Sequence, residues 1–253
     1  MEPGELRSLS LLLAPVLGAV AGSFCNVVIR RLPEGKSVVL PGSACGACGK
    51  PIRWYDNLPI ASYFLLRGRC RDCGAPFSPQ YALIEAVTAA LFFVCCYRFG
   101  LSAQLALALL IVSVAVVVAG IDFNTGLILD VISYPFLAAA LLLALTGLTV
   151  TIASAAAGAV VGAGILAAMN LIWKEGMGWG DVKYMAGLGA FFGLGGVIFL
   201  VVVSSLIGSA AGIVLVTRRK KGMRDRIPFG PAIAAGSVLT VFFGDAFVAF
   251  LFG

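Results

Sequence analysis

The chain has 253 residues, 60% of them apolar, and carries 18 basic and 12 acidic side chains, only 12% charged. Soluble domains average about 45–50% apolar and roughly 25% charged, so a mean hydropathy of +1.03 excludes a water-soluble fold. Disorder and collagen-like repeats are excluded too, because the 31 Gly and 11 Pro follow no period. There is no histidine. Imidazole general bases, Ser-His or Cys-His pairs and His metal ligands are therefore unavailable, and any catalysis falls to Asp, Glu, Cys, Lys, Tyr or Ser.

A membrane span needs about 20 mostly apolar residues. In chain order the candidates are Leu9–Ile29, Tyr81–Tyr97 with Glu85 inside it, Leu101–Ile121 ending on Asp122, Ile128–Leu148, Val150–Trp173, Tyr184–Val216 and Pro228–Phe252. As one helix, Tyr184–Val216 would run about 50 Å at 1.5 Å per residue, beyond an apolar core of about 30 Å. Gly193, Gly195 and Gly196 mark the expected break. The expectation is an all-α polytopic membrane protein of about eight transmembrane helices.

Charge orients these spans. Arg30–Gln80 holds eight basic residues against three acids, and Arg218–Arg226 holds six more. The positive-inside rule places both in the cytosol. With eight spans, 16 of the 18 basic residues become cytosolic, leaving only Arg7 and Arg98 outside. Ala19-Val20-Ala21 resembles a signal-peptide cleavage site, but Glu2 and Glu5 precede the apolar run and Arg30-Arg31 follow it. That order fits a retained helix with its N-terminus outside. Topology and anionic lipid account for the net charge of +6, so the lipid bilayer is a partner and nucleic acid is not expected. The domains read as an N-terminal transmembrane helix (1–29), a small cytosolic cysteine domain (30–80) between helices 1 and 2, and a transmembrane core (81–253).

Seven cysteines fall into two sets. Cys25, Cys95 and Cys96 lie in spans, where a thiol is usually an apolar filler. Cys45, Cys48, Cys70 and Cys73 form two C-x2-C-G pairs separated by 21 residues. Matched knuckles suit four thiolates around a structural zinc, with no open position for catalysis. The competing reading is thiol exchange, which C-x-x-C also serves.

Ionisable residues near the membrane are candidates for function, here Glu85, Asp122, Asp130, Asp181 and Asp245. Asp181 sits in Gly176-Met177-Gly178-Trp179-Gly180-Asp181-Val182-Lys183, where glycines let another backbone approach its carboxylate. Two crossings separate Asp122 from Asp181, which puts both on one face. Sharing a proton, one would activate water while the other donates to a carbonyl oxygen. Asp130 is a rival partner eight residues after Asp122, and Lys183 is a candidate counter-charge for Asp181. Solvated acids at helix ends are the simpler reading of each Asp taken alone. A transporter using these acids in a proton or ion path, or a thiol-redox membrane enzyme, are the alternatives.

These motifs together resemble the type IV prepilin peptidases, membrane aspartic proteases of the G-x-G-D kind, across essentially the whole chain. The matching segments are Gly22-Ser23-Phe24-Cys25-Asn26-Val27 through Arg31-Leu32-Pro33, the cysteine domain with Trp54-Tyr55-Asp56-Asn57-Leu58-Pro59, Gly176 to Lys183, and Ile227-Pro228-Phe229-Gly230-Pro231. The resemblance implies Asp122 and Asp181 as catalytic, with Gly178, Gly180 and Lys183 in an active-site loop. It implies cleavage of a short cationic leader from prepilins or pseudopilins (type IV pilus and type II secretion) at the cytosolic edge of the bacterial inner membrane. N-methylation of the new N-terminus with S-adenosylmethionine is implied as well, although no Gly-x-Gly-x-x-Gly unit of the dinucleotide-binding kind is present. The chain departs from the family pattern at Leu129, Gln80 and Ala82, where Pro, Arg and Pro are usual.

Overall fold

A computed structural model describes residues 3–172, 178–217 and 228–252. Trp173–Met177 and Arg218–Ile227 lie outside the described residues, so the Gly176 end of the glycine motif and the second basic cluster are not placed. Among the described residues the long elements are all helical: α1 (Pro3–Arg31), the short α2 (Ala61–Leu65), α3 (Gln80–Phe99), α4 (Ala103–Thr125), α5 (Asp130–Leu145), α6 (Ile152–Ile172), α7 (Trp179–Thr217) and α8 (Gly230–Phe252). Six of these are long and apolar enough to cross a bilayer.

The expected break in α7 occurs at Gly193, where φ is 68° and ψ −173°, a conformation open to glycine and little else. The amide freed at the break is satisfied from the side, because the Leu194 N–H donates to Ser154 Oγ of α6 at 3.2 Å. The span expected over Ile128–Leu148 is shorter in the structure. Leu129 is extended (φ −82°, ψ 136°), and α5 runs only 16 residues from Asp130. Counting α5 and the two halves of α7 gives eight apolar segments, six of them in unbroken helices.

The chain divides into two compact units, Met1–Val117 and Val118–Gly253. In the first, α1 and α3 pack antiparallel in a tight register. A Cβ on Gly18 would collide with Ala89 and one on Gly22 with Glu85, while the Asn26 amide donates to the Tyr81 carbonyl at 3.0 Å. Positions four apart on one helix thus meet positions four apart on the other, the small-residue packing that lets helices touch by backbone in an apolar solvent. Arg30 extends the ladder to the Tyr81 hydroxyl at 2.7 Å. In the second unit, Gly158 of α6 and Gly189 of α7 meet so closely that neither site has room for a methyl group. Phe136 of α5 lies against Tyr184 and Phe191 of α7, with ring centroids 5.9 and 5.1 Å apart.

Candidate active site

Asp122 lies in the last turn of α4 and Asp181 in the first turn of α7, exposed by only 4% and 7%. Each carboxylate accepts one hydrogen bond from a glycine amide at the start of a helix. Asp181 Oδ2 takes the Gly178 N–H at 3.0 Å, and Asp122 Oδ2 takes the Gly230 N–H at 2.8 Å. Helix N-termini carry amides with no partner inside the helix, so they are natural anchors for acids. For Asp181 the contact is half of a capping box, a side chain at the third helical position reaching back to the capping residue. Helix-end acids are thus indeed capping groups here, as the simpler sequence reading holds. The two are also near enough for the charge of Asp122 to act on Asp181. Asp181 Oδ1 is buried without a hydrogen-bond partner among the described residues, which sets it apart from a satisfied structural acid.

The glycines around the pair are used in different ways. Gly230 has no room for a side chain, since a Cβ would sit 2.6 Å from Asp122 Oδ2. At Gly180 a Cβ would lie 2.7 Å from the Ile128 carbonyl oxygen, so the chain's own backbone at Ile128, in the non-helical stretch before α5, fills the space expected there for another backbone. Gly178 alone precedes the helix; Gly180 and Lys183 are already within α7, which corrects their assignment to a loop. Lys183 is also not the counter-charge of Asp181. Its ammonium donates to both oxygens of Asp130 at 2.7 and 2.8 Å and lies 5.3 Å from the Tyr134 ring centre. Asp130 is thereby engaged on α5 with Lys183. Asp245 is exposed on α8. Gly230, whose amide holds Asp122, is the residue at the site that the sequence alone does not single out; its signal there is its place in the Ile227–Pro231 motif, with Pro231 one position inside the helix start.

The first unit holds the second constellation. The sulfurs of Cys45, Cys48, Cys70 and Cys73 all lie within 4.8 Å of one another, and Cys45 and Cys73 are 3.8 Å apart. A zinc–sulfur bond of about 2.3 Å in a tetrahedron requires sulfurs about 3.8 Å apart, so the four residues fit that ion. The two knuckles repeat the same backbone pattern. Cys45 and Cys70 N–H donate to Lys50 and Ala75 carbonyls, and Gly49 and Gly74 N–H donate back to the cysteine carbonyls. Both glycines have positive φ, 70° and 72°. Amides of Cys48 and Ala47 aimed at the Cys45 sulfur bring its thiol down to about 6. Against an Ala75 amide that favours the thiolate, burial and the neighbouring sulfurs push Cys73 up to about 12. Four sulfurs so close thus do not all ionise without a cation. Asp56 and the bidentate Arg71 guanidinium, 2.6–3.0 Å apart, clamp the intervening segment to the second knuckle and hold the Asp56 carboxyl below its usual range.

A polytopic helical membrane protein with two buried aspartates held at helix starts, preceded by a four-cysteine domain, has the anatomy of an intramembrane aspartic protease. Comparison with known proteins is specific. Residues 16–99 match the bacterial peptidase A24 N-terminal domain, and residues 109–213 match the type IV leader peptidase family. The chain belongs to the type IV leader peptidase family. A protein of Burkholderia pseudomallei (strain 1026b) named prepilin leader peptidase/N-methyltransferase is 34% identical over 275 residues, covering 97% of this chain and 89% of that one. Proteins of the same name from Pseudomonas putida and Aeromonas hydrophila are 34% and 35% identical, covering 98% and 89% of this chain and 94% and 88% of theirs. No solved structure matches the chain.

Proposed function

We propose that this chain removes the leader peptide from prepilins or pseudopilins with Asp122 and Asp181, and then methylates the new N-terminus with S-adenosylmethionine as co-substrate. The observation that carries the proteolytic reading is the pair of buried carboxylates, each fixed on one oxygen by a glycine amide. The pair shares one proton. The ionised member takes a proton from water as the water oxygen attacks the scissile carbonyl carbon. The protonated member gives its proton to the carbonyl oxygen, and collapse of the tetrahedral species passes a proton to the leaving amine. The protons belong to the pair rather than to either residue, and Lys183, bound to Asp130, does not bias the assignment.

Zinc, held by Cys45, Cys48, Cys70 and Cys73, supplies structural cross-linking to a segment with too little apolar content to fold alone. Charge distribution supports an inner-membrane orientation with the N-terminus outside and the aspartates facing the cytosol, the side from which a cationic leader is presented. Of the other readings, a transporter needs acids near mid-membrane on interrupted helices, and these cap helix ends. A thiol-redox enzyme needs each C-x-x-C pair free to exchange by itself, whereas the four sulfurs of both pairs gather within 4.8 Å of one another, the spacing of a single four-thiolate site.

The test is cleavage of a purified prepilin in detergent by the wild type, Asp122→Asn and Asp181→Asn. Both variants are expected to fold and to cut at least 10³-fold more slowly than wild type, within the range of catalytic-group removals. Normal cutting by either sinks the dyad.

A further inference from the structure

Helix α2 hangs from a turn that a membrane span holds in place. The Ala61 N–H donates across Ile60 to the Pro59 carbonyl at 2.6 Å, and Ile60 has φ 62° and ψ −54°. This is the strained, positive-φ form of the γ-turn, with a β-branched residue at its centre, and such conformations persist only where their surroundings impose them. The imposing group is Glu85, whose Oε2 accepts the Ile60 N–H at 2.7 Å. Glu85 is buried on α3, five residues beyond Gln80, about 7.5 Å along the axis at 1.5 Å per residue.

That depth has little freedom. With 20 residues, α3 is about 30 Å long, the thickness of the hydrocarbon core. Lifting Glu85 clear of the bilayer would draw Arg98, at the other end, inward by the same amount. Gly22 of α1, packed on the Glu85 backbone, lies eight residues before Arg30 near the end of that helix, about 12 Å along the axis at 1.5 Å per residue. The turn at Ile60 therefore lies level with the first turns of a span rather than above it. In the short helix that follows, Phe64 and Leu65 face outward, 70% and 77% exposed, with the neighbouring Tyr63 ring edge-on to Phe64. Arg67 and Arg69, both exposed, come next.

We propose that Leu58–Leu66 is a membrane-dipping foot of the cysteine domain, with Phe64 and Leu65 in the boundary between acyl chains and headgroups. Arg67 and Arg69 reach up from it to the phosphates of anionic lipid. Apolar side chains followed by long cations that keep their charged ends in the headgroup layer are the signature of an interfacial segment. The occupant is the lipid surface, and the segment that sequence assigns wholly to the cytosol is partly interfacial. The assignment does not depend on the peptidase reading.

The experiment places the photoreactive residue benzoylphenylalanine at Leu65, at Phe24 (on α1, 54% exposed) and at Lys36 as an aqueous reference. The full chain is reconstituted in vesicles of phosphatidylcholine and phosphatidylglycerol. The expected result is a lipid-adduct yield at Leu65 comparable to that at Phe24 and at least tenfold above that at Lys36. A yield at Leu65 equal to that at Lys36 overturns the proposal, as does adduct formation with a second copy of the chain or with added prepilin in place of lipid. Glu85→Ala, read at Leu65 with Phe24 as internal standard, is expected to lower the ratio severalfold. Glu85→Gln, which keeps an acceptor, is expected to restore it; an unchanged ratio in Glu85→Ala refutes the pinning.

Discussion

A single methyl group at Gly230 tests the site more sharply than removal of either aspartate. Gly230→Ala places a Cβ 2.6 Å from Asp122 Oδ2, 2.8 Å from its Cβ and 2.9 Å from its Cγ. Ordinary contact begins near 3.4 Å, so the carboxylate must retreat by roughly 0.8 Å or α8 must move by as much. The Gly230 N–H bond to Oδ2 at 2.8 Å is then stretched or lost. A misplacement of about 1 Å at a reacting group costs on the order of 10² in rate, or about 2.7 kcal/mol of barrier. The expected result is therefore a kcat for prepilin cleavage about 100-fold below wild type. Gly178→Ala is the matched control, because its Cβ would lie 3.3 Å from Asp181 Oδ2, only about 0.1 Å short of ordinary contact; a loss of only a few-fold is expected. The assay is gel-resolved cleavage in detergent, with the thermal midpoint of each variant showing that the fold is kept. If Gly230→Ala cuts at the wild-type rate with an unchanged midpoint, or if Gly178→Ala is the more damaged of the two, the steric reasoning is refuted.

Asp130→Asn is expected to cut prepilin within a few-fold of wild type, because its partner is the partly exposed Lys183 and such pairs contribute about 0–1 kcal/mol; loss of cleavage equal to that of Asp122→Asn would make it the true partner. Purified protein is expected to carry one zinc per chain by elemental analysis, and Cys48→Ser together with Cys73→Ser to carry none. In metal-free protein the Cys45 thiolate, held near 6 against 9.0 for an ordinary thiol, contributes stability that is complete above about pH 9 and is lost as pH falls through about 6; ultraviolet thiolate absorbance is expected to follow that step, and the zinc-loaded form to lack it. Gly189→Ala drives a methyl group into the Gly158 carbonyl and is expected to destabilise the α6–α7 pair by about 1–3 kcal/mol or more, read as a lower thermal midpoint.

Apolar runs, Cys spacing and the Gly193 break were legible because each depends on neighbours in sequence. The rest depends on partners that are distant along the chain. The Asp122–Gly230 hydrogen bond joins residues 108 apart, and no local pattern announces it. Lys183 stands two positions from Asp181, which on a helix points it to a different side; its ammonium therefore finds Asp130 on α5 instead. Ile128 reads as part of a span because it is apolar, yet apolarity alone does not separate a helix from an extended segment. In the structure it lies outside α5, and Gly180 packs directly against its backbone. The same limit hides the foot at α2: Phe64 and Leu65 are too few to register as a membrane segment, and only the hydrogen bond from Ile60 to Glu85 reveals their depth.

The way the aspartates are buried bears on which chemistry they serve. Lys183 lies only two residues beyond Asp181, about 3 Å along the helix axis, yet its pair with Asp130 is open, with side chains 31% and 54% exposed. Asp181 at nearly the same level is 7% exposed. Depth in the bilayer does not explain that contrast, since the two residues share it. Local surroundings do: each acid is turned onto a glycine amide at the start of a helix, Asp122 onto Gly230 of α8 and Asp181 onto Gly178 before α7, while the charged pair on α5 and α7 stays open. An ion path needs acids that line a continuous route through the bilayer centre. A protease for a substrate anchored by an apolar helix needs its acids one turn from the edge, where the chain leaves the bilayer and can unwind toward them. Asp122 in the last turn of α4 and Asp181 in the first turn of α7 stand at helix ends, which favours the second requirement, the one the proposed dyad needs, over the first.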